Sequence, residues 1–235
     1  MSIDENIRRV RERIAVAAQR SGRRPEEIVL MAVTKTVSTG RIVEAYNSGI
    51  RLFGENRIQE FAEKIEALRN LSDVEWHMIG HLQTNKVTKA VELFGHVDSV
   101  DSVRLARKLD AAVSEFGRKL PVLIEINIGG EEAKSGVAPD SAELENLLNS
   151  APDLPSLDFH GLMTVPPYNQ SPEQSRFHFR KMRALFERIS TRKLGAVHFA
   201  VLSMGMSHDF EIAIEEGATC VRVGTGIFGE RTHPT

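Results

Sequence analysis

Residues 28–36 read IVLMAVTKT, in which six apolar residues from Ile28 to Val33 stand directly before Thr34 and Lys35. This run is too short for a helix and lacks the alternation of a half-exposed strand, so it predicts a strand buried on both faces. An open, doubly wound sheet would place a glycine-rich phosphate turn after such a first strand, and the sequence has Thr34-Lys35-Thr36 there instead. The stretch therefore favours a barrel over an open sheet.

The rest of the chain alternates similar apolar runs with amphipathic helical patterns. Further strands are predicted at Arg51–Gly54, Val74–Ile79, His96–Val100, Pro121–Ile128, Leu157–Met163, Val197–Leu202 and Thr219–Val223. Helices are predicted at Gly40–Asn47, Ile58–Asn70, Ser102–Phe116, Ser141–Asn149, Pro172–Ile189 and Asp209–Glu216. Another precedes the first strand, where Ile3, Ile7, Val10, Ile14 and Ala17 recur at helical spacing. Strands that alternate with helices pair in parallel, and eight such units indicate a closed barrel. We expect an α/β fold, a single (β/α)₈ TIM barrel with an extra N-terminal helix, forming one domain over residues 1–235.

The composition limits the partners and the compartment. The chain has 235 residues, of which 41% are hydrophobic and 26% charged, and its formal net charge is −2. This charge gives no electrostatic footprint for nucleic acid or for an acidic membrane surface. Cys220 is the only cysteine, and the charged start MSIDENIRRV does not resemble a signal peptide. We expect a cytoplasmic protein that binds neither nucleic acid nor membrane.

Lys35 is the first candidate for chemistry, because it stands at the end of a buried strand. Burial disfavours a charged ammonium, and a lysine that forms an imine with an aldehyde avoids that cost. The alternative is a lysine whose ammonium reaches water at the strand end. Position alone does not separate the two, so this choice stays open at this point.

The segment Cys220-Val221-Arg222-Val223-Gly224-Thr225-Gly226 is the second candidate. Its glycines expose backbone N–H groups after a late strand, where TIM barrels commonly bind phosphate. An ordinary glycine-containing loop is the alternative. Arg222 needs a partner if it points into the barrel, and that partner is either a ligand or a carboxylate such as Glu55 or Asp209. Ser203 could add a further phosphate donor.

His77 and His81 are weaker candidates. Their spacing crosses a strand–loop boundary and no third ligand stands in register, so no metal site is predicted. Cys220 has no evident base partner and is expected in the core.

Eight short motifs occur together in a fixed order along the chain. They are Val33-Thr34-Lys35-Thr36, Phe53-Gly54-Glu55-Asn56, Trp76-His77-Met78-Ile79-Gly80, the stretch HLQTNK at 81–86, Lys134-Ser135-Gly136, His160-Gly161-Leu162-Met163, Leu202-Ser203-Met204-Gly205-Met206-Ser207 and Val221-Arg222-Val223-Gly224-Thr225. Each is a weak signal alone. Together they closely resemble the YggS/PROSC family of pyridoxal 5′-phosphate (PLP)-binding homeostasis proteins over essentially the whole chain.

The resemblance implies a barrel like the N-terminal domain of alanine racemase, with PLP at its mouth as a Schiff base on Lys35. It implies that Ser203, Gly224 and Thr225 bind the phosphate, that Arg222 faces the pyridine nitrogen, and that Asn56 and His77 lie near the ring. A cationic arginine opposite that nitrogen disfavours its protonation and weakens carbanion stabilisation.

The chain also ends at Thr235, without room for the second, β-rich domain that racemases of this fold carry. We therefore expect a monomeric PLP carrier without catalytic residues, which buffers, delivers or protects the cofactor and contacts PLP-dependent apo-enzymes transiently. A small PLP-dependent racemase and a barrel that binds an unrelated phosphate ester are the alternatives.

Overall fold

The structure is a computed structural model that describes residues 2–168, 171–192 and 199–230. Eight parallel strands close into a barrel in the order of the chain, each pairing with the next and the last with the first. The strands are β1 (Val29–Val33), β2 (Leu52–Glu55), β3 (Glu75–Met78), β4 (His96–Val100), β5 (Leu120–Ile126), β6 (Leu157–Thr164), β7 (Val201–Met206) and β8 (Cys220–Val223). The predicted α/β barrel is confirmed.

Helices surround the barrel and precede it. They are α1 (Ile3–Arg20), α2 (Thr39–Asn47), α3 (Ile58–Leu68), α4 (Val87–Leu93), α5 (Val103–Ser114), α6 (Ala142–Ser150), α7 (Arg176–Ser190), α8 (Phe210–Glu215) and α9 (Thr225–Phe228). Short 3₁₀ turns occupy Pro25–Glu27, Thr84–Lys86, Ala151–Asp153 and Pro172–Ser175. The sequence did not predict α4 or α9, both of which are short.

The extra N-terminal helix is present and well capped. Ser2 and Glu5 form a reciprocal capping box at its start, which satisfies backbone N–H groups that the first turn leaves without partners. Its apolar face packs against α8 and α9. Asn6 donates a buried 2.9 Å hydrogen bond to the carbonyl of Ile227, so α1 fixes the segment that follows β8.

The alternation of side chains along β1 and β2 decides which residues face the barrel interior. Thr34 Oγ1 donates to Glu55, and Lys64 of the surrounding helix α3 contacts both residues, so Thr34 and Glu55 point outward. Successive side chains on a strand point to opposite faces, and Lys35 and Asn56 come one residue after Thr34 and Glu55, just past the ends of the two strands.

The boundaries predicted for the seventh strand are wrong. The strand spans Val201–Met206 rather than Val197–Leu202, and residues 197 and 198 lie outside the described residues. The small residues of this strand are typical of a loop sequence. One of them, Gly205, has a positive φ of +91° and allows α8 to pack closely against the strand. A Cβ at this position would lie 2.5 Å from the Cβ of Ala213. The glycine therefore serves helix packing inside the strand.

No helix within 2–168, 171–192 and 199–230 combines the length and the apolar character needed to cross a membrane.

Candidate functional site

Lys35 lies half-buried in a tight turn at the carboxyl end of β1. The N–H of Val37 donates to the carbonyl of Thr34 across this turn, and Thr36 has a φ of +62°. A β-branched residue rarely adopts a left-handed conformation, so other contacts must hold this turn.

Those contacts come from an outer clamp made of Glu55, Glu60 and Lys64. Lys64 Nζ lies 3.0 Å from the Thr34 carbonyl, 3.1 Å from Glu55 Oε1 and 2.5 Å from Glu60 Oε1. Glu60 Oε1 also accepts the N–H of Thr36 at 2.5 Å. Both neighbours of Lys35 are therefore held by residues outside the barrel.

The glycine loop after β8 lies beside this turn. The position of a Cβ on Gly224 would be 3.6 Å from both the Cβ and the carbonyl oxygen of Val33, two residues before Lys35. The N–H groups of Gly224 and Gly226 donate to Ser207 Oγ at 3.1 and 3.2 Å, and Thr225 between them is exposed. The structure thus brings Lys35, Gly224 and Thr225 to one end of the barrel. It adds Ser207, which the sequence analysis did not select as a site residue.

Ser203, for which the sequence analysis expects a phosphate-binding role, does not lie at this loop. It is fully buried inside β7 and pairs with Cys220, four residues before Gly224 on β8. At roughly 3.3 Å per residue this is about 13 Å along the strand. The sequence analysis selected Ser203 because it ended the seventh strand at Leu202, whereas β7 continues to Met206 and has Ser207 directly after it.

Arg222 is buried inside the barrel, and Ser203 is its partner. Its Nη1 donates to Ser203 Oγ at 2.6 Å, and its Nη2 donates to the Thr164 carbonyl at 2.7 Å. Both acceptors are neutral, and burial lowers the pKa of the guanidinium. Glu55 contacts Lys64 instead, and Asp209 accepts the N–H of Met206, so these hydrogen bonds bear out neither of the two carboxylates considered as alternative partners.

Asn56 lies at the same end of the barrel, directly after β2. Its buried Oδ1 has no hydrogen-bond partner. The backbone of Gly80 packs closely against that of Asn56, since a Cβ on Gly80 would lie 2.2 Å from the Asn56 carbonyl oxygen. A buried amide oxygen without a partner is costly unless a ligand supplies one.

Glu125 is a further candidate that the sequence analysis missed. Its Oε1 accepts from Ser135 at 3.1 Å, while its buried Oε2 has no partner. Burial raises the pKa of this carboxyl above its ordinary value. The sequence does mark this residue, since a glutamate interrupts the apolar run of β5. In the structure, the segment that follows the motif Lys134-Ser135-Gly136 pairs with the end of this strand.

His77 lies toward the opposite end of the barrel, contrary to the expected place near the ring. Gly54 pairs with both Val33 and His77, so His77 stands a full layer before Lys35 and Asn56. It lines a cavity of about 530 Å³ together with strand-start residues such as Val29 and Leu52. The sequence does not reveal the register between strands, and a register difference of two residues is enough to move a side chain from one layer of the barrel interior to the next.

The comparisons with known proteins agree with this fold. Residues 3–232 match the family described as "Alanine racemase, N-terminal domain". The chain is 46% identical to the pyridoxal phosphate homeostasis protein of Aquifex aeolicus over 99% of this chain and 100% of that protein. It is 41% identical to the protein of the same name in Escherichia coli K12, over 98% and 97% of the two chains. The structure of PipY from Synechococcus elongatus with PLP bound is 34% identical, with a TM-score of 0.84 over 97% of this chain and 100% of that chain.

The fold and the site together define the class of protein. It is a parallel α/β barrel that has a lysine after its first strand and a glycine loop after its last strand. The chain belongs to the family of pyridoxal phosphate homeostasis proteins, whose barrel is of the alanine racemase N-terminal type.

Proposed function

We propose that this protein binds PLP through a Schiff base on Lys35 and serves PLP homeostasis by buffering, delivering or protecting the cofactor. The observation that carries the proposal is the approach of Gly224, which begins the glycine loop, to Val33, two residues before Lys35 at the same end of the barrel. Curated relatives at 41–46% identity are named for PLP homeostasis, and PipY was solved with PLP bound.

The residues at this end of the barrel fit the chemical parts of PLP. Lys35 supplies the amine for the aldehyde, and the backbone and hydroxyl of Thr225 offer donors to a phosphate. Ser207 fixes the neighbouring amides of Gly224 and Gly226. The unpartnered oxygen of Asn56 offers an acceptor beside the ring. We assign the loop-ordering role to Ser207, since Ser203 is bonded to Arg222.

Arg222 supports a carrier rather than an efficient enzyme. When bound, PLP supplies an electron sink that works best with a protonated ring nitrogen. Arg222 presents a guanidinium, which remains cationic at physiological pH and does not favour a proton on a nitrogen that it faces. Its bonds to Ser203 and Thr164 hold it in place without a carboxylate that would neutralise it.

The deciding experiment is the absorbance spectrum of purified protein after PLP addition and removal of free cofactor. We expect a Schiff-base band that borohydride abolishes, with the reduced label at Lys35 by mass spectrometry. Lys35→Ala should lose the band, and Lys89→Ala, which alters an exposed lysine of α4, should keep it. An unchanged band in Lys35→Ala would exclude the proposed attachment.

The competing function is a small PLP-dependent enzyme such as an amino-acid racemase. Incubation with a panel of L-amino acids in heavy water measures exchange of the α-hydrogen. A carrier should show slow exchange even at stoichiometric protein concentration, whereas rapid exchange would establish the enzyme. We further propose a monomer of one domain that meets PLP-dependent apo-enzymes only transiently; light scattering at several protein concentrations tests the monomer.

A further inference from the structure

A cluster of ligand atoms lies at the amino-terminal mouth of the barrel, away from Lys35. It consists of Glu75 and His77 from β3 and His96 from β4, and their ligand atoms all lie within 4.8 Å of one another. Glu75 Oε2 is 3.9 Å from the Nε2 atoms of both histidines. All three residues line the cavity of about 530 Å³. Lys35 and the glycine loop lie at the other end of the barrel.

His77 is held in the orientation that a metal ligand needs. Its Nδ1 lies 3.0 Å from both carboxylate oxygens of the buried Asp98, which fixes the ring. Its Nε2 is buried and has no hydrogen-bond partner. A histidine that binds a metal through one nitrogen usually donates a hydrogen bond to a carboxylate through the other. The Asp98–His77 pair has this arrangement.

We propose that Glu75, His77 and His96 form a binding site for a divalent transition-metal ion such as Zn²⁺, with Asp98 as the residue that positions His77. Two imidazoles and one carboxylate suit borderline ions, while Mg²⁺ and Ca²⁺ prefer oxygen ligands. Three protein ligands leave a fourth position toward the cavity.

The ion requires a modest rearrangement of the two outer ligands. The rings of His77 and His96 are stacked at 3.9 Å with an interplanar angle of 8°, so their nitrogens do not yet converge on one point. Ligand atoms around a tetrahedral zinc ion lie about 3.4 Å apart, given bond lengths of roughly 2.1 Å. The side chain of Glu75 is 66% exposed and that of His96 is 25% exposed, so both can turn toward the fixed Nε2 of His77.

We expect the bound ion to stabilise the fold, because its ligands belong to the neighbouring strands β3 and β4 at the amino-terminal end of the barrel. Residues at the amino ends of barrel strands contribute to stability, whereas the carboxyl ends carry the chemistry. A bound ion should raise the melting temperature, since it binds the folded chain. It should leave the PLP spectrum unchanged, because Lys35 and His77 belong to different layers.

The test uses untagged, PLP-loaded protein freed of metal by a chelating resin and of free PLP by gel filtration. Calorimetric titration with ZnCl₂ should give one ion per chain, while MgCl₂ should give no saturable binding. Co²⁺ should give a d–d absorbance spectrum of nitrogen and oxygen coordination. His96→Gln and Glu75→Gln alter side chains with exposed surface, and each should weaken zinc binding at least tenfold while the fold and the PLP band persist. Asp98→Asn should weaken it by about 10–100-fold.

The matched control is His160→Gln, which changes another histidine of the same cavity but outside the cluster. It should bind zinc as the unmodified protein does. The proposal is overturned if zinc does not bind stoichiometrically, if magnesium binds equally well, or if His160→Gln weakens binding while His96→Gln does not.

Discussion

Ser203 accepts a 2.6 Å hydrogen bond from Arg222, and both side chains are buried inside the barrel. Ser203→Ala would leave a buried guanidinium N–H without that acceptor. Hydrogen bonds to charged groups contribute about 1.5–3 kcal/mol, so the free energy of unfolding should fall by that amount in urea denaturation. Ser114→Ala, at an exposed position on α5, should change it by less than about 0.5 kcal/mol. Equal stabilities of the two variants would contradict the role given to Ser203.

Ser207 should affect ligand binding through the phosphate. Its Oγ accepts the N–H groups of both Gly224 and Gly226, and Ser207→Ala removes the atom that holds these amides in place. We expect the dissociation constant of PLP to rise about tenfold, equivalent to about 1.4 kcal/mol. Pyridoxal, which lacks the phosphate, should bind both proteins equally in an absorbance titration. A similar loss for both ligands would show that the serine acts elsewhere.

Lys64 balances the carboxylate of Glu55, which has no exposed surface. Burial raises the pKa of Glu55, and the Lys64 ammonium opposes that effect. Lys64→Met leaves a buried charge without a partner and should reduce the free energy of unfolding by about 3–5 kcal/mol.

Two comparisons test this assignment. Adding Glu55→Gln to Lys64→Met should recover part of the loss, since a neutral amide does not need a counter-ion. Lys89→Met breaks an exposed pair with Glu92 and should cost under about 1 kcal/mol. A double variant less stable than Lys64→Met would refute the pairing.

Glu125 should make stability depend on pH. Burial raises the pKa of its carboxyl above the ordinary value of 4.5, the charge of Asp101 adds to the shift, and Ser135, Arg222 and His81 oppose it. Since the folded state binds this proton more tightly than the unfolded state, its contribution is present below pH 4.5 and is lost as the pH rises through the folded pKa. The free energy of unfolding of the wild type minus that of Glu125→Gln should therefore fall as the pH rises above 4.5. Urea denaturation of both proteins between pH 4 and 8 measures it, and a difference that stays flat or grows would contradict the raised pKa.

Gly80 should tolerate no side chain. A Cβ there would lie 2.2 Å from the Asn56 carbonyl oxygen, so Gly80→Ala must displace the backbone of Asn56. We expect a loss of about 1–3 kcal/mol in stability and weaker PLP binding. Gly40→Ala is the control, because no atom beyond its chain neighbours and its own helix backbone lies within 4 Å of its Cβ position. Loss of PLP affinity in the control but not in Gly80→Ala would contradict the place given to Asn56.

The sequence by itself determined the fold class and the two segments that meet at the carboxyl end of the barrel. Apolar runs of strand length alternate with helical patterns, and these periodicities depend only on neighbours along the chain. Lys35 at the end of β1 and Gly224 after β8 follow directly, because parallel strands of a closed barrel end on the same face.

Tertiary structure alone decided which polar residues share that face. Ser203 and Ser207 stand four residues apart in one motif, and the true span of β7 places one under Arg222 and the other at the glycine loop. His77 is moved to the amino-terminal mouth by its register with Gly54, where it meets His96. Glu55 points outward to Lys64 because of the strand's alternation. Register, bulges and the face of each strand arise from hydrogen bonds between distant segments, and no local pattern encodes them.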